Sequence, residues 1–221
     1  MTSNQAWPAM GMDEVRAALT APGARFEMET VDIRGIPTRI WKNAPPHMAA
    51  LVRLSRTHGA ALATIHDDER VTFEAQFRAI ATLAAHYRAL GVEKGDRVAV
   101  AARNLPEWVV AFFAATTIGA IAVPLNAWWT AEELCYGLAD SGAVLLVADD
   151  ERWQRVAPHR GDLPALRHVI VARAATPLEG AARIEDVIGT PHDWAALPDR
   201  DLPEADLSPD CLLYTSPSPR D

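Results

Sequence analysis

Leu90-Gly91-Val92-Glu93-Lys94-Gly95-Asp96-Arg97-Val98-Ala99-Val100-Ala101-Ala102-Arg103-Asn104-Leu105-Pro106-Glu107-Trp108 contains a helix end, a turn, a strand and a helix start. Gly91 supplies the left-handed residue that stops a helix, and apolar Val92 follows it. Glu93-Lys94-Gly95-Asp96 is a turn. Residues 98–102 form an apolar run without alternation, the pattern of a short strand covered on both faces. Asn104 and Pro106 then open the next helix, with Asn104 read as its cap in preference to a site residue.

The same alternation continues on both sides. Upstream, Arg70-Val71-Thr72-Phe73 is a strand end, and Thr72 caps a helix over residues 74–90. In that helix Phe77, Ile80, Ala81, Ala84 and Tyr87 recur at helical spacing. Downstream, the helix opened by Pro106 runs to Gly119, and Ile121-Ala122-Val123 is a buried strand stopped by Pro124. Thr130-Ala131-Glu132-Glu133 fits a capping box, so a third helix begins there and ends near Gly142. Val144-Leu145-Leu146-Val147 is a strand, and Asp149-Asp150 caps a short helix reaching Val156. His168-Val169-Ile170-Val171 is another strand, followed by a short helix over residues 184–188. Strands separated by helices imply right-handed crossovers, hence an α/β fold with a largely parallel, doubly wound sheet and flanking helices.

This core lies in residues 46–197. Residues 1–45 read as an irregular N-terminal extension draped on it, and residues 198–210, with Pro198, Pro203, Pro209 and five acidic side chains, as an acidic Pro-rich linker. Residues 108–131 carry no charge, but Gly119 and Pro124 divide them into a helix and a strand, so no transmembrane segment is expected.

The chain has 221 residues, 49% hydrophobic and 23% charged, with 21 Lys and Arg against 29 Asp and Glu, a net charge of −8. That balance, without a basic cluster, does not fit a nucleic-acid or anionic-membrane partner. Cys135 and Cys211 make neither a disulfide framework nor a metal motif. Residues 1–11 lack a basic region followed by an apolar run, so no signal peptide and a cytoplasmic location are expected.

Known catalytic signatures are missing. No glycine-rich turn follows the strand ending at Ala102, and neither a P-loop nor a Gly-x-Ser-x-Gly elbow occurs. The seven histidines (His47, His58, His66, His86, His159, His168, His192) never pair four residues apart. His66-Asp67-Asp68-Glu69 reads as a solvated turn between two strands rather than a metal cluster. Cys135 reads as a buried structural cysteine, because nothing near it in sequence would lower its pKa. Trp128-Trp129 reads as a loop anchor in preference to a ligand platform. No catalytic, cofactor-binding or metal-binding residue is assigned on these grounds.

An ordered set of motifs carries a family resemblance. Arg70-Val71-Thr72-Phe73, residues 90–100 as quoted, Asn104-Leu105-Pro106-Glu107-Trp108, Gly119-Ala120-Ile121-Ala122-Val123-Pro124-Leu125-Asn126, Thr130-Ala131-Glu132-Glu133-Leu134 and Asp140-Ser141-Gly142-Ala143 occur in sequence. Together they resemble the opening of the adenylate-forming (AMP-binding) ligases, over roughly residues 45–210. Trp41-Lys42-Asn43-Ala44-Pro45 and Asp68-Glu69-Arg70-Val71-Thr72 resemble the leader region of the fatty-acyl and related acyl-CoA synthetases. The resemblance implies a parent enzyme that uses ATP, Mg2+ and CoA to convert a carboxylic acid, a fatty acid by this likeness, first to an acyl-adenylate and then to a thioester. It also implies that the phosphate loop and the catalytic lysine lie downstream of this stretch. The chain itself is therefore expected to be inactive and to bind none of these cofactors well.

Cys211-Leu212-Leu213-Tyr214-Thr215-Ser216-Pro217-Ser218-Pro219-Arg220-Asp221 begins like the family's phosphate loop and then departs from it. Pro217 and Pro219 remove N–H donors that a phosphate cradle needs, and no glycine supplies positive φ angles. The peptide resembles one reading frame of a transposase-type sequencing adapter, so residues 211–221 are read as an adapter-derived tail. The alternatives are a stand-alone non-catalytic α/β binding module, and a fragment of another adenylate-former such as an aryl-CoA ligase or a peptide-synthetase adenylation domain.

Overall fold

The computed structural model describes residues 10–175 and 178–208. The tail at 211–221 and the end of the acidic segment therefore lie outside the described residues. The chain divides into two units, residues 1–45 and 46–221.

The first unit is more regular than the sequence pattern implies. Helix α1 (Met12–Thr20) is followed by an antiparallel hairpin of β1 (Met28–Ile33) and β2 (Ile36–Trp41). Arg34 and Gly35 turn the hairpin with φ of 55° and 82°. A two-residue turn with both φ positive matches the twist of its flanking strands. The Asp32 carboxylate accepts the Gly35 N–H at 2.8 Å.

The second unit starts with α2 (Met48–Arg56), capped by His47, whose Nδ1 accepts the Ala50 N–H at 3.2 Å. A second hairpin follows, β3 (Leu62–His66) and β4 (Glu69–Thr72), with Asp67 at φ 48° in its turn. Helix α3 (Phe73–Ala89) begins at Thr72, whose hydroxyl accepts the Ala75 N–H, and stops before Gly91 at φ 79°.

The remaining elements build the sheet: β5 (Arg97–Ala101), α4 (Pro106–Thr117), β6 (Ile121–Pro124), α5 (Ala131–Ser141), β7 (Leu145–Asp149), α6 (Asp150–Val156), β8 (His168–Ala172), β9 (Ala182–Arg183) and α7 (Glu185–Ile188). The strands lie in the order β6-β5-β7-β8-β9, and every pairing is parallel. Side chains alternate between two apolar cores. Val98, Val100, Leu145, Val147 and Ile170 share one core with α2, α3 and α4. Ala99, Ala101, Leu146, Ala148, Val169 and Val171 share the other with α5 and α6. Burial on both faces explains why these strands are apolar throughout, and the doubly wound architecture follows from it.

Two local expectations are corrected. Asn104 is exposed and does not cap α4; Leu105 holds the N-cap position without a side-chain hydrogen bond, and Pro106 supplies the fixed φ of the first turn. That helix ends at Thr117, and Gly119 sits beyond it at φ 79°. The uncharged stretch at 108–131 is split between α4, β6 and the start of α5, and among the described residues no helix is long and apolar enough to cross a membrane.

Candidate functional site

In an open parallel sheet, the loops of neighbouring strands part at the switch point, leaving a crevice beyond the carboxyl ends where ligands bind. Here that point lies between β5 and β7. The loop after β5 leads to α4 on one face, and β7 leads directly to α6 on the other.

Asp149, the last residue of β7, lies at this switch point. Its Oδ2 accepts the Arg103 N–H at 2.9 Å, joining the loop after β5 to the end of β7. Its Oδ1 accepts the Arg152 N–H at 3.0 Å, which caps α6 as Asp149-Asp150 predicts. Oδ2 also accepts from Arg152 Nη1 at 2.9 Å. The Arg152 side chain is only 2% exposed. Its Nε donates to the Ala127 carbonyl at 2.7 Å, and Arg155 Nη1 donates to the Trp129 carbonyl at 2.6 Å. Two arginines on one short helix thus grip the backbone of the loop that carries Trp128 and Trp129.

That loop divides the tryptophan pair between two tasks. Trp129 packs into the α5–α6 core, against Gly137, where an added Cβ would lie 3.1 Å from the ring. Trp128 is 71% exposed, and the Arg103 guanidinium lies over its ring at 4.1 Å. The anchor reading thus holds for Trp129, while Trp128 forms with Arg103 an exposed cation–π pair.

A second polar cluster sits at the end of β8. Arg173, at φ 58°, donates its N–H to Glu185 at 2.7 Å, Nε to Glu107 at 2.9 Å and Nη2 to Glu69 at 2.8 Å. Glu107 is buried at the start of α4, so Arg173 neutralises a carboxylate that would otherwise be costly there. Nothing in the sequence around Arg173 announces this role; the signal is a left-handed non-glycine residue, visible only in the fold. His66-Asp67-Asp68-Glu69 is the hairpin turn that was expected, with Glu69 additionally drawn into the Arg173 cluster.

Cys135 lies half-buried on α5, and burial, with a smaller push from Asp162, raises its thiol pKa. That is the opposite of what a nucleophile needs. Asp149 and the Glu69–Glu107 pair are each engaged by an arginine guanidinium. Among the described residues no group of three or more His, Cys, Asp or Glu side chains is arranged to hold a metal ion. This end of the sheet therefore presents an exposed aromatic face with one stacked cation.

Comparison with known proteins gives this framework its family. A family model described as AMP-binding enzyme matches residues 46–218. A feruloyl-CoA synthase from Amycolatopsis sp is 40% identical over 106 residues, 48% of this chain and 22% of that protein. The long-chain-fatty-acid–CoA ligase FadD15 of Mycobacterium bovis is 35% identical over 128 residues, 58% of this chain and 21% of that protein. Among solved structures, the N-terminal domain of FACL13 from Mycobacterium tuberculosis superposes with a TM-score of 0.61 at 25% identity, over 77% of this chain and 41% of that one. The chain thus spans about a fifth of the length of the curated relatives it matches. With the matched residues covering the whole parallel sheet and its flanking helices, the chain belongs to the AMP-binding enzyme family, among relatives that are CoA ligases.

Proposed function

We propose that this chain is the amino-terminal part of an ATP-dependent acyl-CoA ligase. In the reaction a substrate carboxylate oxygen attacks the α-phosphorus of ATP, and pyrophosphate leaves with the bond electrons. The CoA thiol, losing its proton, then attacks the acyl carbon and expels AMP. Both steps need charge stabilisation on phosphate, supplied by backbone N–H groups, a metal and a lysine. The chain carries the scaffold for those parts without the parts themselves, so by itself it is inactive and holds ATP, Mg2+ and CoA poorly. The observation that carries this reading is the continuous family match over residues 46–218 on a sheet of order β6-β5-β7-β8-β9.

The substrate is a carboxylic acid. We favour a fatty acid, as the leader motifs and the FadD15 likeness support; an aryl acid is the second reading, favoured by the feruloyl-CoA synthase match at 40% identity. The proposed location is cytoplasmic, and residues 211–221 are taken as adapter-derived. Reading the gene past the codon for Asp210 in intact genomic DNA checks both the tail and the missing loop: the frame is expected to continue into a glycine-rich phosphate loop. ATP–pyrophosphate exchange with a panel of fatty and aryl acids is the enzymatic test. The present chain is expected to give only the blank rate, and the chain encoded by the uninterrupted gene to give acid-dependent exchange. Exchange by the present chain would refute its inactivity. A stop codon near residue 221, or an extended chain without exchange, would instead favour a non-catalytic binding module.

A further inference from the structure

We infer that residues 197–207 are a strap latched by charge onto the face built by α2, α3 and α4. This inference is independent of the ligase reading. The composition of the segment suggests a free linker, and it carries no helix or strand beyond the short turn Trp194–Ala196. It is nevertheless held at four polar points. The Leu197 carbonyl accepts from Arg78 Nη1 at 2.8 Å on α3. Asp199 accepts from Arg56 Nη2 at 2.7 Å, and Asp201 from Arg53 Nε at 3.1 Å, both on α2. Asp206 meets Lys94 Nζ at 3.0 Å in the turn before β5.

Two apolar side chains seat the strap between these points. Leu202 is 3% exposed and belongs to the core beneath α2 and α3. Leu207 packs onto the same core and lies over Gly119, where an added Cβ would come within 3.1 Å of it. Contact is not continuous. An open cleft of about 470 Å3 separates residues 203–207 from His47, Ala49 and Arg53. A segment packed along its length would fill that space; this one is fastened at points. Its acidic partners are solvent-exposed, so each pair is individually weak and open to screening by salt. The charges set where the strap lies, and the buried Leu202 holds it between them.

Hydrogen exchange of the 198–207 backbone in the whole chain, read by mass spectrometry, tests the latch. In about 50 mM salt the N–H of buried Leu202, which donates to the Asp201 carboxylate at 2.7 Å, is expected to exchange at least about tenfold more slowly than in an unstructured peptide. Raising salt to about 500 mM is expected to speed its exchange several-fold, because exposed pairs are screened. The triple variant Asp199→Asn, Asp201→Asn, Asp206→Asn is expected to do the same at low salt while leaving exchange in α3 and β5 unchanged. Glu204→Gln, which alters an exposed strap residue outside the latch, is expected to change nothing. The inference is overturned if the Leu202 N–H exchanges at the free-peptide rate in low salt, if neither salt nor the triple variant accelerates it, or if Glu204→Gln accelerates it equally. The salt arm on the unmodified chain decides the question should the triple variant fail to fold.

Discussion

Asp149 shows how much can rest on one carboxylate. It caps α6, pairs with a buried guanidinium and ties the loop after β5 to the end of β7. Replacing it by alanine leaves buried Arg152 with only the exposed Glu151 carboxylate and the Ala127 carbonyl as partners and removes the α6 cap, a change expected to cost about 3 kcal/mol. In urea unfolding Asp149→Ala is therefore expected to lower the midpoint sharply, whereas Asp150→Ala, next along the chain, is expected to lower the unfolding free energy by less than about 1 kcal/mol. A fall of similar size in both variants would show that the buried pair is not what matters. The tryptophans offer a second contrast. Trp129→Ala removes a core contact and is expected to cost about 3 kcal/mol, while Trp128→Ala, on the surface, is expected to cost under about 1 kcal/mol. Equal losses would contradict the division of labour between them. The sequence reveals Asp149 as a cap, because capping is local. Its bond to Arg103 is not legible there, since strand order alone brings residues 103 and 149 together.

Among the elements, the link between α2 and α3 carries a clear pH signature. Hydrogen bonds from Arg56 hold the Glu74 carboxyl down at about 2; burial opposes this, and Arg78 adds to it. The value lies below the ordinary 4.5, so the stabilisation is complete above pH 4.5 and is lost as pH falls toward 2. Glu74→Gln is expected to flatten the pH dependence of unfolding over that interval; an unchanged slope would show that other carboxylates dominate it. The core elements were legible because strands buried on both faces must be apolar throughout, and because Thr72, Thr130 and Asp149 mark helix starts by side-chain chemistry. The β1–β2 hairpin was not, although Arg34-Gly35 between Val31-Asp32-Ile33 and Ile36-Pro37-Thr38 is a readable turn. Its strands are mostly exposed, so burial imposes little pattern on them. Strand β9, two residues long, offers no periodicity to read. Helix α2 begins at a histidine cap, an uncommon choice that the usual Ser, Thr, Asp and Asn signals miss.

For the molecule as a whole, the second unit exposes Leu51 and Leu54 on α2 and Leu62 and Ile65 on β3. Large exposed aliphatic side chains on one unit favour association. The chain made alone is expected to self-associate at micromolar concentration in sedimentation experiments, and the double variant Leu54→Lys, Ile65→Lys to raise the soluble fraction. A monodisperse monomer without those changes would count against this. The strand order also constrains how the chain assembles during synthesis. Val98 and Ala122 become available to pair before Leu145 has left the ribosome, so the nascent sheet can exist for a time as two strands with the inner flank of β5 bare. Until β7 arrives, that flank is an adhesive ribbon. A pause in elongation when β6 has left the exit tunnel and β7 has not would prolong its exposure and make it a natural point of capture by a chaperone.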